Sequence, residues 1–279
     1  MRTIERVIEY KRGTWLSFYN LADIHAGSSR CDEKKLKNMV EKIKNDDSSY
    51  WGLGGDACEW ITRNDPRHKE SEMAKYLHGV DDVISAQQEW VFEALRPIAN
   101  KCLWVNAGNH EGSIFKFTER NVYSNIVTFI KQAGGIKDSQ QLGIGYRGFV
   151  RLRLRRSGHT NTLVIMSEHG WGGGRLKGSD VLNSARIFGY FNCDLYFVGH
   201  RHKAHLIPHT MVTPVGKGSR DITKFAAMPG TFRSNDVRQD EYDPGSYEDS
   251  KGYFPSDPTG VEIRYNPDSK EMSGTVFKY

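Results

Sequence analysis

The stretch TWLSFYNLADIH, residues 14–25, decides how the rest of the chain is read. An almost unbroken apolar run stops at Asp23, and a carboxylate and an imidazole follow with only Ile24 between them. The run predicts a buried strand over 14–23 with polar chemistry at its exit. Side chains alternate along an extended chain, so Asp23 and His25 can converge on one point while Ile24 packs inward. An Asp-x-His pair alone is common by chance. Its weight comes from repetition of the same design along the chain.

Working outward, YWGLGGD (50–56) ends on Asp56, and KCLWVNAGNHE (101–111) delivers Asn109 and His110. TLVIMSEHG (162–170) leads to His169, and CDLYFVGHRH (193–202) leads to His200 and His202. Helical periodicity fills the intervals. Leu36, Met39, Val40 and Ile43 mark a helix over 32–45. Val83, Ile84, Ala86, Trp90, Val91, Ala94 and Leu95 mark a second over 80–99, stopped near Pro97. A third is expected over 179–190, capped by Ser179 or Asp180. Alternating strands and helices define an α/β fold, and ligand sites in such folds form at the carboxyl ends of strands. Beyond residue 200, MVTPV, ITKFAAM, GVEIRY and SGTVFKY predict strands with little helix, expected to build a second, largely antiparallel layer. Residues 234–259 are polar and rich in turn formers, so a surface loop is expected there. Neither an internal repeat nor a sharp change of composition divides the chain, and residues 1–279 are expected to form a single domain.

Composition narrows the class. The chain has 279 residues, 38% hydrophobic and 26% charged, as in ordinary globular proteins. No run reaches the 18 or so apolar residues of a membrane span. The opening MRTIERVIEYKRG lacks the apolar core of a secretory signal, so a cytoplasmic protein is expected. Cys31, Cys58, Cys102 and Cys193 lie far apart and form no CxxC pair, and Cys102 and Cys193, each in an apolar run, read as reduced core residues. The net charge of +5 mildly favours anionic partners.

Asp23, His25, Asp56, Asn109, His169, His200 and His202 are hard-to-borderline ligands, suited to Mn²⁺, Fe or Zn²⁺ rather than to a thiolate site. They suffice for two ions if one carboxylate is shared, and paired ions are the usual apparatus for displacement at phosphorus. Any one of these histidines, taken alone, reads more simply as a hydrogen-bonded strand-end residue. The ordered set of five blocks does not.

In that order the blocks resemble the calcineurin-like metallophosphoesterase family: Asp-x-His, Gly-Asp, Gly-Asn-His-Asp/Glu, a His before Gly, and Gly-His-x-His. The resemblance covers about two thirds of the chain, Asp23 to His202. It implies a four-layer α/β/β/α sandwich and a dinuclear centre. Asp23, His25 and His202 would hold one ion, Asp56 would bridge, and Asn109, His169 and His200 would hold the other. Mn²⁺ is the first expectation, with Fe, Zn²⁺, Ni²⁺ or Mg²⁺ as alternatives. His110 adjoins a ligand without being one, and the resemblance gives it the role of proton donor to the leaving group. The acidic position of the third block is Glu111. Glu59 and Glu111 are candidates to orient a ligand imidazole, or else solvated carboxylates at a helix start.

Substrate signals are weaker. Arg151, Arg153 and Arg155 share one face of RGFVRLRLRR (147–156), a stripe able to follow a phosphate backbone or simply a solvated strand face. Trp171, Arg175 and Lys177 follow His169 in a glycine-rich segment, offering stacking and charge, and Arg233 is a further candidate contact. The expected partner is a phosphate ester, with DNA or another nucleic acid favoured and a membrane excluded. A phosphomonoesterase, a small-nucleotide or phosphoprotein phosphatase, and a non-catalytic scaffold are the alternatives. A scaffold would be expected to have lost ligands or His110, and neither is lost here.

Overall fold

The structure is a computed structural model that describes residues 1–172, 177–235, 255–256 and 258–279. Its elements begin with β1 (Arg2–Glu9), β2 (Leu16–Leu21), α1 (Glu33–Asn45), β3 (Ser49–Leu53), α2 (Val83–Leu95) and β4 (Cys102–Asn106). Then come α3 (Asn109–Thr118), α4 (Val122–Ala133), β5 (Gly143–Gly145), β6 (Arg147–Arg156), β7 (His159–Glu168) and α5 (Lys177–Tyr190). The chain closes with β8 (Leu195–Val198), β9 (His205–Val215), β10 (Gly218–Met228), β11 (Thr259–Tyr265) and β12 (Met272–Lys278).

Among the described residues the strands form two six-stranded sheets, ordered β1-β6-β7-β8-β10-β9 and β12-β11-β2-β3-β4-β5. Between them lies a core that includes Ile8, Phe18, Trp104, Leu152, Ile165 and Phe197. The outer face of the second sheet is covered by α1, α2 and α4 through Leu36, Ile43, Val91 and Ile126. The outer face of the first carries Ile187 of α5 against Met166, Tyr196 and Val198. This is the four-layer α/β/β/α sandwich. β2 is buried at every position because helices cover one side and the partner sheet the other.

Several expectations need correction. The C-terminal strands do not make a separate layer. β9 and β10 pair antiparallel and extend one sheet through β8, while β11 and β12 extend the other through β2. Period-two patterning identifies a strand but not its neighbour. The second helix gives way at Arg96–Lys101 to a 3₁₀ segment with Pro97 in its first turn. α5 begins at Lys177, so Ser179 and Asp180 lie within it rather than capping it. Most of the expected loop at 234–259 lies outside the described residues. The four cysteines are free, and Cys58, Cys102 and Cys193 are buried.

Candidate metal centre

Strands β2, β3 and β4 of one sheet and β7 and β8 of the other end on a common edge. There the loops are stitched together by backbone bonds from Asp23 N to Gly55 O (3.1 Å), His25 N to Asp56 O (3.1 Å) and Gly199 N to Glu168 O (3.2 Å). Across the two sheets, His200 N donates to Asp23 Oδ2 at 2.8 Å. All seven residues expected as ligands are brought to this edge.

Local backbone geometry departs from the extended one anticipated for Asp-x-His. Asp23, His25, Asp56, His200 and His202 all have positive φ, between 50° and 74°. Ile24 is fully buried, as expected. Left-handed conformations in non-glycine residues cost about 1 kcal/mol or more each and persist where surrounding structure fixes them. Two glycines let the loops approach closely. A Cβ on Gly108 would sit 2.1 Å from Asp56 Oδ1, and one on Gly55, whose φ is +91°, would sit 2.7 Å from His169 Nδ1.

Ligand-type atoms gather into overlapping clusters: Asp23, His25 and His202; His25, Asp56 and His110; and Asp56, His169 and His200, with the atoms of each cluster within 4.8 Å of one another. Tautomers show what this arrangement requires. His169 Nδ1 faces the Gly54 carbonyl at 2.8 Å and must donate to it. In the neutral ring, Nε2 then presents a lone pair to Asn109 Oδ1 at 3.0 Å and to Asp56 Oδ2 at 3.2 Å. On the other side, His25 Nδ1 lies 2.8 Å from Glu59 Oε2, a close but poorly aligned contact in which the carboxylate favours a proton on Nδ1. His25 Nε2 faces His202 Nε2 at 3.1 Å. His202 Nε2 is 3.3 Å from Asp23 Oδ1, which is buried and accepts no well-formed hydrogen bond. Converging lone pairs in a buried pocket fit cations. Oxygen and imidazole donors with no thiolate fit borderline divalent ions.

The electrostatics agree. Burial raises the Asp56 carboxyl, but His169 and His110 outweigh it and hold the group well below the usual carboxylate range. Burial also raises Asp23, and His202 reverses the shift. For His169, burial lowers the pKa, yet Asp56 and Asp23 bring it up to about 10 in the ion-free chain. Positive charge is strongly favoured at this point.

His110 belongs to the middle cluster, with His25 and Asp56. Its Nδ1 is 2.6 Å from the Glu59 carbonyl and must donate to it, leaving Nε2 as the ring's other end, 4.0 Å from Asp56 Oδ2. Burial lowers its pKa, but Asp56 and Glu59 outweigh that and raise it, favouring imidazolium.

The two carboxylates expected behind the ligands divide their roles. Glu59 does face an imidazole, that of His25. Glu111 does not, and it is not solvated either, being 3% exposed. It accepts from Asp56 N (3.0 Å), Ala57 N (2.9 Å), Trp60 Nε1 (3.1 Å) and Gly108 N (2.7 Å). The last bond is half of a capping box on α3, completed from one side only because Gly108 has no side chain. Thr231 was not anticipated. It is fully buried and its hydroxyl donates to the Asp23 carbonyl at 2.8 Å. No local motif marks a contact spanning 208 positions.

The expected substrate contacts scatter. Trp171 is 69% exposed, with the Arg147 guanidinium 5.0 Å from its ring. Arg233 lies near Glu59 and helps His25 and His110 hold that carboxyl low against the raising effect of burial. Lys177 opens α5, and Arg175 lies outside the described residues. Arg151, Arg153 and Arg155 occupy the outer face of β6, which runs away from the metal edge, because Arg147 pairs with Glu168 while Arg156 pairs with His159. Arg153 is bonded to Glu5 of β1 at 3.1 Å.

Fold and edge together define a metal-dependent phosphoesterase. Residues 16–204 match the Calcineurin-like phosphoesterase family, and the chain belongs to it. No curated protein sequence matches the chain. Similar solved structures include a metallophosphoesterase from Sphaerobacter thermophilus, at 14% identity and a TM-score of 0.37, covering 95% of this chain and 89% of that one. A Mycoplasma pneumoniae phosphatase is 12% identical with a TM-score of 0.39, covering 95% and 93%. A conserved Streptococcus pneumoniae protein described as a predicted phosphoesterase is 10% identical with a TM-score of 0.32, covering 95% and 99%. Membership rests on the family match. Among the described residues, no helix is long and apolar enough to cross a membrane.

Proposed function

We propose that the chain is a dinuclear phosphodiesterase acting on nucleic acid or a related nucleotide diester. In this reading Asp23, His25 and His202 hold one divalent ion, Mn²⁺ by first expectation. Asn109, His169 and His200 hold the other, and Asp56 is shared. When bound, the ions supply Lewis acidity toward the phosphoryl oxygens and toward water. The protein's own residues do the remainder. Gly54 and Glu59 fix the tautomers of His169 and His25, so that each presents Nε2. Glu111 and Thr231 hold the backbones of Asp56 and Asp23 in place. His110, anchored through Nδ1, keeps a proton at Nε2 for the departing oxygen.

The observation that carries the diester reading is the space beside the ligands. A cleft of about 450 Å³ is lined by Gly170 and Arg201, the immediate neighbours of His169 and His200, giving room for a second ester substituent. Hydrolysis of bis-p-nitrophenyl phosphate, p-nitrophenyl phosphate, cyclic nucleotides and labelled single- and double-stranded DNA tests it, with Mn²⁺, Mg²⁺, Zn²⁺ or Ni²⁺ supplied in turn. Preference for diesters is expected. A marked preference for monoesters would move the protein to the phosphatase alternative.

A further inference from the structure

The same cleft has more character than empty space. Its inner wall is apolar, formed by Ile187, Val198 and Met228. At one side the Arg147 guanidinium lies 5.0 Å from the Trp171 ring and 5.4 Å from that of Phe191, an array of planar groups. Arg147 is held in place by the Glu168 carboxylate. Trp171 leaves 69% of its surface uncovered, although it sits beside an apolar cavity that could receive a flat ring. A buried polar group also lines the cleft. Ser184 is 3% exposed, and its Oγ has no hydrogen-bond partner among the described residues. Unpartnered buried hydroxyls are disfavoured in a finished fold. This one is satisfied if a ligand brings a donor or acceptor.

We propose that this cleft is the subsite for one nucleobase of the substrate, stacked on Trp171 and read at its edge by Ser184 Oγ. The proposal rests on the phosphoesterase reading of the adjoining edge and names the substituent its substrate carries. Each element fits the assignment. The volume lies within the range of small-ligand pockets, which combine apolar walls with a few fixed polar groups. Every base offers a π-face, so an exposed indole binds any of them. Ser184 can donate or accept. Gly170 and Arg201 line the pocket and are the chain neighbours of His169 and His200, so the assignment makes a base in the cleft and a phosphate at the candidate ligands parts of one nucleotide unit. An alkyl group would use the apolar wall but would leave Ser184 Oγ unsatisfied.

Two diesters with the same leaving group provide the test: thymidine 5′-(p-nitrophenyl phosphate) and methyl p-nitrophenyl phosphate, with the full Mn²⁺-loaded chain. The expected ratio of kcat/KM favours the thymidine ester by about tenfold or more. Trp171→Ala removes the stack, and Asn183→Trp places a bulky ring in the cleft from an exposed lining position. Each should reduce that ratio about tenfold. Calorimetric binding of thymidine 5′-monophosphate and of inorganic phosphate gives a readout without turnover, and only the nucleotide should lose affinity in the variants. A wild-type ratio near one, or variants that scale both esters equally, would overturn the subsite while leaving the phosphoesterase reading intact. Nucleotide binding that depends on the cleft, with neither ester hydrolysed, would support the subsite and overturn the activity. Loss of both binding and turnover overturns both.

Discussion

His169 Nε2 and Asp56 Oδ2 face each other at 3.2 Å, while His169 Nδ1 is committed to the Gly54 carbonyl 2.8 Å away. A neutral imidazole held in this way directs a lone pair at an anion. The contact is repulsive unless a positive charge comes between the two atoms or a second proton enters the ring. Either outcome brings positive charge to this point, and the buried donors around it fit a divalent ion.

Metal content checks this directly. Two divalent ions per chain are expected, and Asp56→Ala should weaken both because Asp56 clusters with His169 and His200 on one side and with His25 on the other. Loading should raise the unfolding temperature. Free ion at a hundred times its Kd contributes about 2.7 kcal/mol per site. Elemental analysis giving one ion or none under saturating Mn²⁺ would remove the dinuclear centre.

His110 should separate from the ligands in its phenotype. His110→Ala is expected to retain both ions and lose about 10²–10⁴-fold in turnover on a diester with a poor leaving group. The loss should be smaller with p-nitrophenolate, which departs without a proton. Equal losses on the two substrates would exclude a proton-donating role, and loss of metal would make His110 a ligand or a structural residue.

Much of this site is legible in the sequence because each candidate ligand lies just beyond a strong apolar strand. A five-residue run such as β4 fixes both the element and the position of Asn109 a few residues past its end. Four features are less legible. Left-handed backbone at Asp23 and His25 follows from loop packing and has no signature in Asp-x-His. The bond from Thr231 to the Asp23 carbonyl depends on which strand β10 lies beside, and alternation does not encode that. Glu111 was visible as part of Gly-Asn-His-Glu, but its work as an acceptor for buried amides appears only when β3 and β4 are adjacent. The cleft was the least legible feature. Its walls come from β6, β7, β8, β10 and α5, and only Trp171 stood out beforehand.

The Glu111 bonds make a quantitative expectation. Glu111→Ala leaves the amides of Asp56, Ala57 and Gly108 and the Trp60 indole without this acceptor, in a buried setting. Hydrogen bonds to a charged group are each worth about 1.5–3 kcal/mol and are not additive, so a loss of about 3 kcal/mol or more is expected in urea unfolding. Metal affinity should fall too, because the Asp56 backbone is no longer clamped. A variant with unchanged stability and unchanged metal affinity would contradict this account.

The arginine stripe makes the opposite kind of prediction. β6 starts at the metal edge with Arg147 and leads away from it, so at about 3.3 Å per residue Arg151 is some 13 Å and Arg155 some 26 Å along the strand. Glu5 and Glu9 of β1 stand opposite Arg151 and Arg155 in the register, and Glu5 is already bonded to Arg153. Such a face carries little free positive charge to offer a polyanion. Replacing all three arginines with Gln should therefore change the salt dependence of DNA affinity by less than one phosphate contact. One contact corresponds to a log–log slope of about 0.9 on duplex or about 0.7 on single strands. Arg201, which lines the cleft next to His200, is expected to matter more, and Arg201→Gln should weaken DNA binding and flatten the slope by about one contact. A slope reduced by two or three contacts in the triple variant would instead place the nucleic-acid backbone along the outer face of β6.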